Sequence, residues 1–279
     1  MLRVAFSAQS PSRFPGTMAA GHMTITLRVR SSDEVIRVQR EAAARRVLSH
    51  LGDRLPVSRL LCFLDDEDSP VIMSERGAAN RGLYGPIHDN TPMADWPDYV
   101  TNQIFVDDGE HFWFQRMIDD LVYLYGNTCA SEVGLTMTLA HELQHAIQHA
   151  NLCELWAVNG LIQNLDRETI DTLKLTWSDI PIEREARIVS KSVAVHFFGE
   201  GRVSEYIDQK IAERVTEIDA RDWQFVRTLT SSSTVDLNAE TKQLFERLRG
   251  YRAELEAALQ ERKRLKDPDF VDIDLGVYF

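Results

Sequence analysis

The chain has 279 residues, 44% of them hydrophobic and 27% charged, enough for one large domain or two small ones around a real core, with the balance of a soluble globular protein. No apolar run approaches the roughly 18 residues of a membrane-spanning helix, so no membrane partner is expected, and a formal charge of −12 argues against nucleic acid as partner, since phosphate binding needs a basic footprint. Three cysteines (Cys62, Cys129, Cys153) without CxxC spacing point to a reducing cytoplasm rather than a disulfide framework.

Residues 1–22 carry no acid, two Arg and several Ser and Pro. They lack the continuous apolar core of a secretory signal and are expected to be a disordered leader, so the fold should begin near Met23. "TITLRVR" (Thr24 to Arg30) alternates strictly and predicts a half-buried strand. Asp33 then caps a helix through Leu51, closed by Gly52. Its basic cluster (Arg37, Arg40, Arg45, Arg46) reads as a solvated face. "SRLLCFLDD" and "PVIMS" read as strands, and residues 76–99, rich in Gly, Pro, Asn and Asp, as a long loop.

"NQIFVDD" (Asn102 to Asp108) is another strand candidate, and "EHFWFQRMIDDLVYLYG" reads as a helix closed by Gly126. Cys129 lies just before the next helix, where a thiol pKa can fall; as a plain packing residue it would be inert. Beyond Asn151 nearly everything reads as helical: 153–164, 167–175, 182–198, 203–218 and 237–264. The last carries a stripe of Leu244, Leu248, Tyr251, Leu255 and Leu259, which is core spacing. At the C-terminus Val271, Ile273, Leu275, Val277 and Phe279 alternate and predict a strand. The fold class is therefore α+β: a small mixed sheet in the N-terminal half, packed on a central helix, followed by a mainly helical C-terminal half. The expected division is 23–200 for the main domain and 201–279 for a helical extension ending in a strand.

The central helix carries "TMTLAHELQHAIQHANL" (Thr136 to Leu152). Residues four apart share a helix face, so His141 and His145 can present two imidazoles to one point. Glu142 lies about 100° around the helix, placed to reach a water at the ion rather than the ion itself. Two ligands and a general base within five residues are the HExxH pattern of zinc hydrolases. Leu139, Leu143, Ala146 and Ile147 give the helix an opposite, apolar side.

A third ligand is needed. His149 continues the series but lies about 12 Å along the axis from His141, too far for one ion to be shared by all three. The metzincin spacing fails as well, because position 148 is Gln and position 151 is Asn. "DIPIEREARIVSKSVAVHFFG" offers Glu183 and Glu185, about 200° apart on a helix. Glu183 shares its face with Ala186, Arg187, Ser190 and Ala194, small enough for close helix packing, and is preferred; Glu185 remains the alternative.

"HELQH" followed by Glu-x-x-Ala on a later helix resembles the gluzincin branch of zinc metallopeptidases, and is similar to minimal ImmA/IrrE-like forms and to membrane-embedded relatives with Glu-x-x-Ala-Asp. The resemblance covers at most residues 100–199 and implies Zn2+ held by His141, His145 and Glu183, with Glu142 as catalytic base. It also implies a zincin-like sheet whose edge strand, here expected at "NQIFVDD", aligns an extended protein or peptide substrate. Arg187 stands where relatives have an acid that orients a ligand histidine, and Asp179 is a possible substitute. An oxyanion stabiliser is expected among His196, His149, Arg187 and Tyr84.

Three functions compete at this level. A zinc endopeptidase acting on a specific protein target leads. A zincin-like binding or regulatory module, weakly catalytic or inactive, comes second, and a structural zinc or no metal at all comes last, since structural sites are closed by four Cys/His ligands and only two His and one Glu converge. The C-terminal alternation could close the sheet, or lie in the substrate groove as an added strand and restrain activity.

Overall fold

The computed structural model describes residues 24–56, 58–66, 81–86, 119–163, 165, 172–173, 175–213, 217–230, 232–265, 271 and 273–279. The segment 1–22, "PVIMS" and "NQIFVDD" lie outside them. The described part is α+β, with a small mixed sheet in the N-terminal half and a mainly helical C-terminal half.

The sheet contains β1 (Thr24–Val29), β2 (Arg59–Leu64), β3 (Gly82–Pro86) and β4 (Asp120–Leu124) in the order β1-β2-β4-β3. β1, β2 and β4 run parallel, and among the described strands β3 is the antiparallel edge. Helix α1 (Glu34–Leu51) starts at Asp33, whose side chain accepts from the Val35 and Ile36 amides. With the exception of Arg40, which is buried and donates to the Cys129 carbonyl, its arginines pair along the surface with Glu34, Glu41 and Glu132.

A short helical turn, α2 (Gly126–Cys129), leads into the motif helix α3 (Glu132–Asn151), capped by Ser131. Its Leu135, Leu139 and Leu143 pack with Ala44, Val47 and Leu51 of α1 and with Leu60, Leu64, Val122 and Leu124 of the sheet in one cluster. Cys129 belongs to the same cluster; burial pushes its thiol up to about 12, so it is a packing residue and not an activated thiol.

α4 (Cys153–Gln163) follows, then the long α5 (Pro181–Glu213), broken at Gly199 by a φ of 77° that a residue without Cβ adopts readily. α6 (Glu217–Thr228), α7 (Leu237–Arg247) and α8 (Arg252–Arg264) complete the helices. The predicted 237–264 helix is thus two, separated by a 3-10 turn at Arg249–Tyr251. Its leucine stripe is core: Leu244, Leu248, Leu255 and Leu259 are buried with Phe245 and α4.

Three expectations are corrected. Of the helix read over "EHFWFQRMIDDLVYLYG", residues 110–118 lie outside the described residues, and the described part contains a strand, Asp120–Leu124, instead. All five residues are buried between β2 and β3, and a strand covered on both faces shows an unbroken apolar run instead of alternation. The loop read at 76–99 contains β3, whose Gly82, Gly85 and Pro86 look like turn signals but sit on a sheet edge, where they are tolerated.

The C-terminal strand is instead a 3-10 turn, Leu275–Val277, with Asp274 accepting from the Gly276 amide. Ile273, Leu275 and Tyr278 are buried against α4, α7 and α8, and Tyr278 Oη donates to Glu154. The tail therefore spends its apolar residues on the helical core. Among the described residues it neither extends the sheet nor adds a strand to β3.

Candidate metal centre

α3 and α5 face each other with the motif between them. His141 and His145 stand one turn apart on α3, and Glu183 enters from the first turn of α5, just after Pro181. All three are buried, and they form a group whose donor atoms converge closely enough to hold a metal ion. His145 Nε2 lies 3.0 Å from His141 Nε2 and 3.4 Å from Glu183 Oε2, and His141 Nε2 lies 3.1 Å from the same carboxylate oxygen. Donors set tetrahedrally at about 2.0–2.1 Å around one ion stand about 3.3 Å from each other. The three spacings therefore suit one tetrahedrally coordinated ion with a fourth position left over.

The electrostatics follow from burial and proximity. Burial, with the nearby Arg187 charge and His145, drives His141 down to about 3. Burial acts against a charged His145 too, but the Glu183 carboxylate and then Glu142 outweigh it and raise His145 to about 9. Glu183 itself is held well below the usual carboxylate range: burial opposes this, and the His145 charge with hydrogen bonds from both histidines overcomes it.

Glu142 is also buried, and burial raises it to about 7. Its carboxylate accepts from the Tyr84 backbone amide of β3. A Cβ on Gly82 would stand 3.1 Å from Glu142 Oε1 and 2.9 Å from Thr138 Cγ2, so the edge strand approaches this glutamate where only glycine fits without adjustment.

The two glutamates of α5 have separate places. Glu183 joins the histidines, whereas Glu185 accepts from Gln144 Nε2 at 3.0 Å and Gln148 Nε2 at 2.8 Å. Arg187, largely buried, pairs with Asp222 at 2.8 Å. Asp222 also accepts from Ser178, and Arg81 pairs with Asp219 one turn away. Trp223 lies against both guanidiniums. Asp179 is elsewhere, accepting from Thr176 and pairing with Arg247.

Of the residues considered for oxyanion stabilisation, Tyr84 and His149 are joined. Tyr84 Oη donates to Asp120 at 2.8 Å and lies 2.8 Å from His149 Nδ1, and both rings touch Trp156. Trp156 also touches His145. His196 pairs with His50 instead.

Sequence reasoning passed over Gln148, whose Oε1 meets His145 Nδ1 at 2.8 Å. Its position, three residues after a ligand on the same helix, was the available signal. The buried acids Asp219 and Asp222 of α6 were missed too; nothing in a local sequence window ties them to the motif.

Among the described residues no helix is long and apolar enough to cross a membrane. Comparison with protein-family models, with curated proteins and with solved structures finds no match to this chain, so its function has to be argued from the site itself.

Proposed function

We propose that this chain is a zinc-dependent peptidase that hydrolyses peptide bonds of a protein or peptide substrate, with His141, His145 and Glu183 as metal ligands and Glu142 as general base. One observation carries the reading. Two buried imidazoles and one buried carboxylate converge closely enough to share one ion, and a further buried glutamate, Glu142, stands next in sequence to His141.

Zinc bound there would supply a Lewis acid that polarises a carbonyl and acidifies water. The chain's own groups do the rest. Glu142 can take a proton from the attacking water and return it to the leaving amine nitrogen. Its hydrogen bond from Tyr84 keeps the carboxylate turned toward β3. An extended peptide added alongside β3 would place its backbone next to that carboxylate. Buried free thiols at Cys62 and Cys129 go with a reducing compartment such as the cytoplasm.

A second reading is favoured by Arg187. Where the resembling families keep an acid, this chain buries a guanidinium salt-bridged to Asp222, which suits a zincin-like binding or regulatory module with little hydrolysis. Glu142→Gln separates the two. Zinc content and cleavage of a degenerate peptide library, read by mass spectrometry, are measured for both forms. A peptidase loses cleavage in the variant and keeps about one zinc per chain. Zinc in both forms with cleavage in neither supports the binding module. Wild-type protein that takes up no zinc when it is offered overturns both.

A further inference from the structure

Gln148 is buried at 1% exposure, and all its polar atoms are used. Its Nε2 donates to the Ile182 carbonyl at 2.9 Å and to Glu185 Oε2 at 2.8 Å. Neither partner can donate in return, so the amide has one orientation, with Oε1 toward His145. An acceptor at Oε1 requires a proton on His145 Nδ1, 2.8 Å away. His145 is thereby fixed in the form whose Nε2 alone is available to an ion, and that nitrogen is the one facing His141 and Glu183.

Glu185 is held in turn. It accepts a second hydrogen bond from Gln144 Nε2, and Gln144 Oε1 accepts from Arg54 at 2.8 Å, beyond the end of α1. Gln144 is buried as well. The polar chain Arg54–Gln144–Glu185–Gln148–His145 therefore ties one imidazole to both facing helices and to the turn behind them. His141 has no counterpart: its Nδ1 is buried without a hydrogen-bond partner among the described residues.

We propose that Gln148 and Glu185 are positioning residues for the metal: a carboxylate-backed amide that sets the tautomer and ring plane of His145, in the place an acid takes where a ligand histidine is backed directly. This rests on the metal-centre reading above, and it gives Glu185, the alternative ligand, a different part in the same site.

The test measures zinc affinity of the full chain by competition with a chromogenic chelator, and the visible spectrum of its cobalt(II) form. Gln148→Leu is expected to weaken zinc by about 10–100-fold and to alter the cobalt spectrum. Glu185→Leu should weaken zinc by about tenfold or more, and Glu185→Gln, which still accepts from Gln148, should restore it. A merely structural amide would lower the thermal midpoint of the metal-free variants and leave affinity and spectrum unchanged. Wild-type affinity and spectrum in both Leu variants overturns the proposal; if Gln148→Leu fails to fold, the Glu185 pair decides on the same criteria. If the wild type binds neither ion, the metal centre falls, and this inference with it.

Discussion

The two sides of α3 are built on opposite principles. Toward the sheet, Leu135, Leu139 and Leu143 are fully buried among aliphatic neighbours, and each such side chain contributes about 1.5–3 kcal/mol by leaving water. Toward α5, the same helix buries His141, Gln144, His145 and Gln148. Those groups stabilise only when every donor and acceptor finds a partner. One side makes the helix stay; the other decides what it can bind. The contrast says where substitutions should be felt as loss of fold and where as loss of the ion.

The largest expected effect lies on the sheet side. Leu143→Ala should cost about 2–5 kcal/mol in urea unfolding while the folded protein keeps its zinc affinity; a drop in affinity with unchanged stability would erase the contrast. On the α5 side the effect should be small. Replacing His145 and Glu183 together by Leu exchanges a buried ion pair for apolar volume, a gain of about 1–4 kcal/mol, but leaves Gln148 Oε1 and His141 Nε2 without their partners, at about 1–3 kcal/mol each, so the metal-free chain should stay near wild-type stability, with no zinc bound. A large destabilisation would mean that the polar side holds the helices together after all.

Gly82→Ala sits where the two sides meet the edge strand. The added methyl would approach the Tyr123 carbonyl at 3.0 Å as well as Glu142, at a cost of about 1–3 kcal/mol. Because none of the three ligands is among its nearest neighbours, zinc uptake should persist while hydrolysis falls.

The smallest effect is a slope. His145 is raised to about 9, above its unfolded value, so its contribution to the metal-free fold is complete at low pH and is lost as pH rises through that value. Zinc needs Nε2 without its proton, so affinity should move the other way, by at most about tenfold per pH unit for one proton. Stability that falls and affinity that climbs between about pH 7 and 9, with the stability slope gone in His145→Leu, would sharpen the comparison; parallel trends would refute it.

Much of this was legible beforehand, for a physical reason. His141, Glu142 and His145 sit on one helix, so their spacing alone sets their geometry. Glu183 could be placed by the small residues Ala186, Ser190 and Ala194 on its face, and all three are buried. The edge strand could not. Gly82, Gly85 and Pro86 suggest a loop, and their pairing partners, Asp120 to Leu124, are distant in sequence. Those partners were themselves obscured, since Leu121 to Leu124 are buried throughout and give no period to read. The tail misled in the opposite way: its alternation was real, but a 3-10 turn on the helical core satisfies the same apolar residues.

The ligand set also divides unequally along the chain. Two donors lie one turn apart on α3, and the third is 42 residues from His141, on a helix that must dock before it can contribute. A chain with α3 formed and α5 not yet in place would offer an ion only two imidazoles, a weak and largely solvated grip. The three-donor environment arises with the docking of α5. Added cobalt would therefore work as a clock during refolding: the development of its final colour marks the moment the second half of the chain closes on the first, independently of how much helix has already formed.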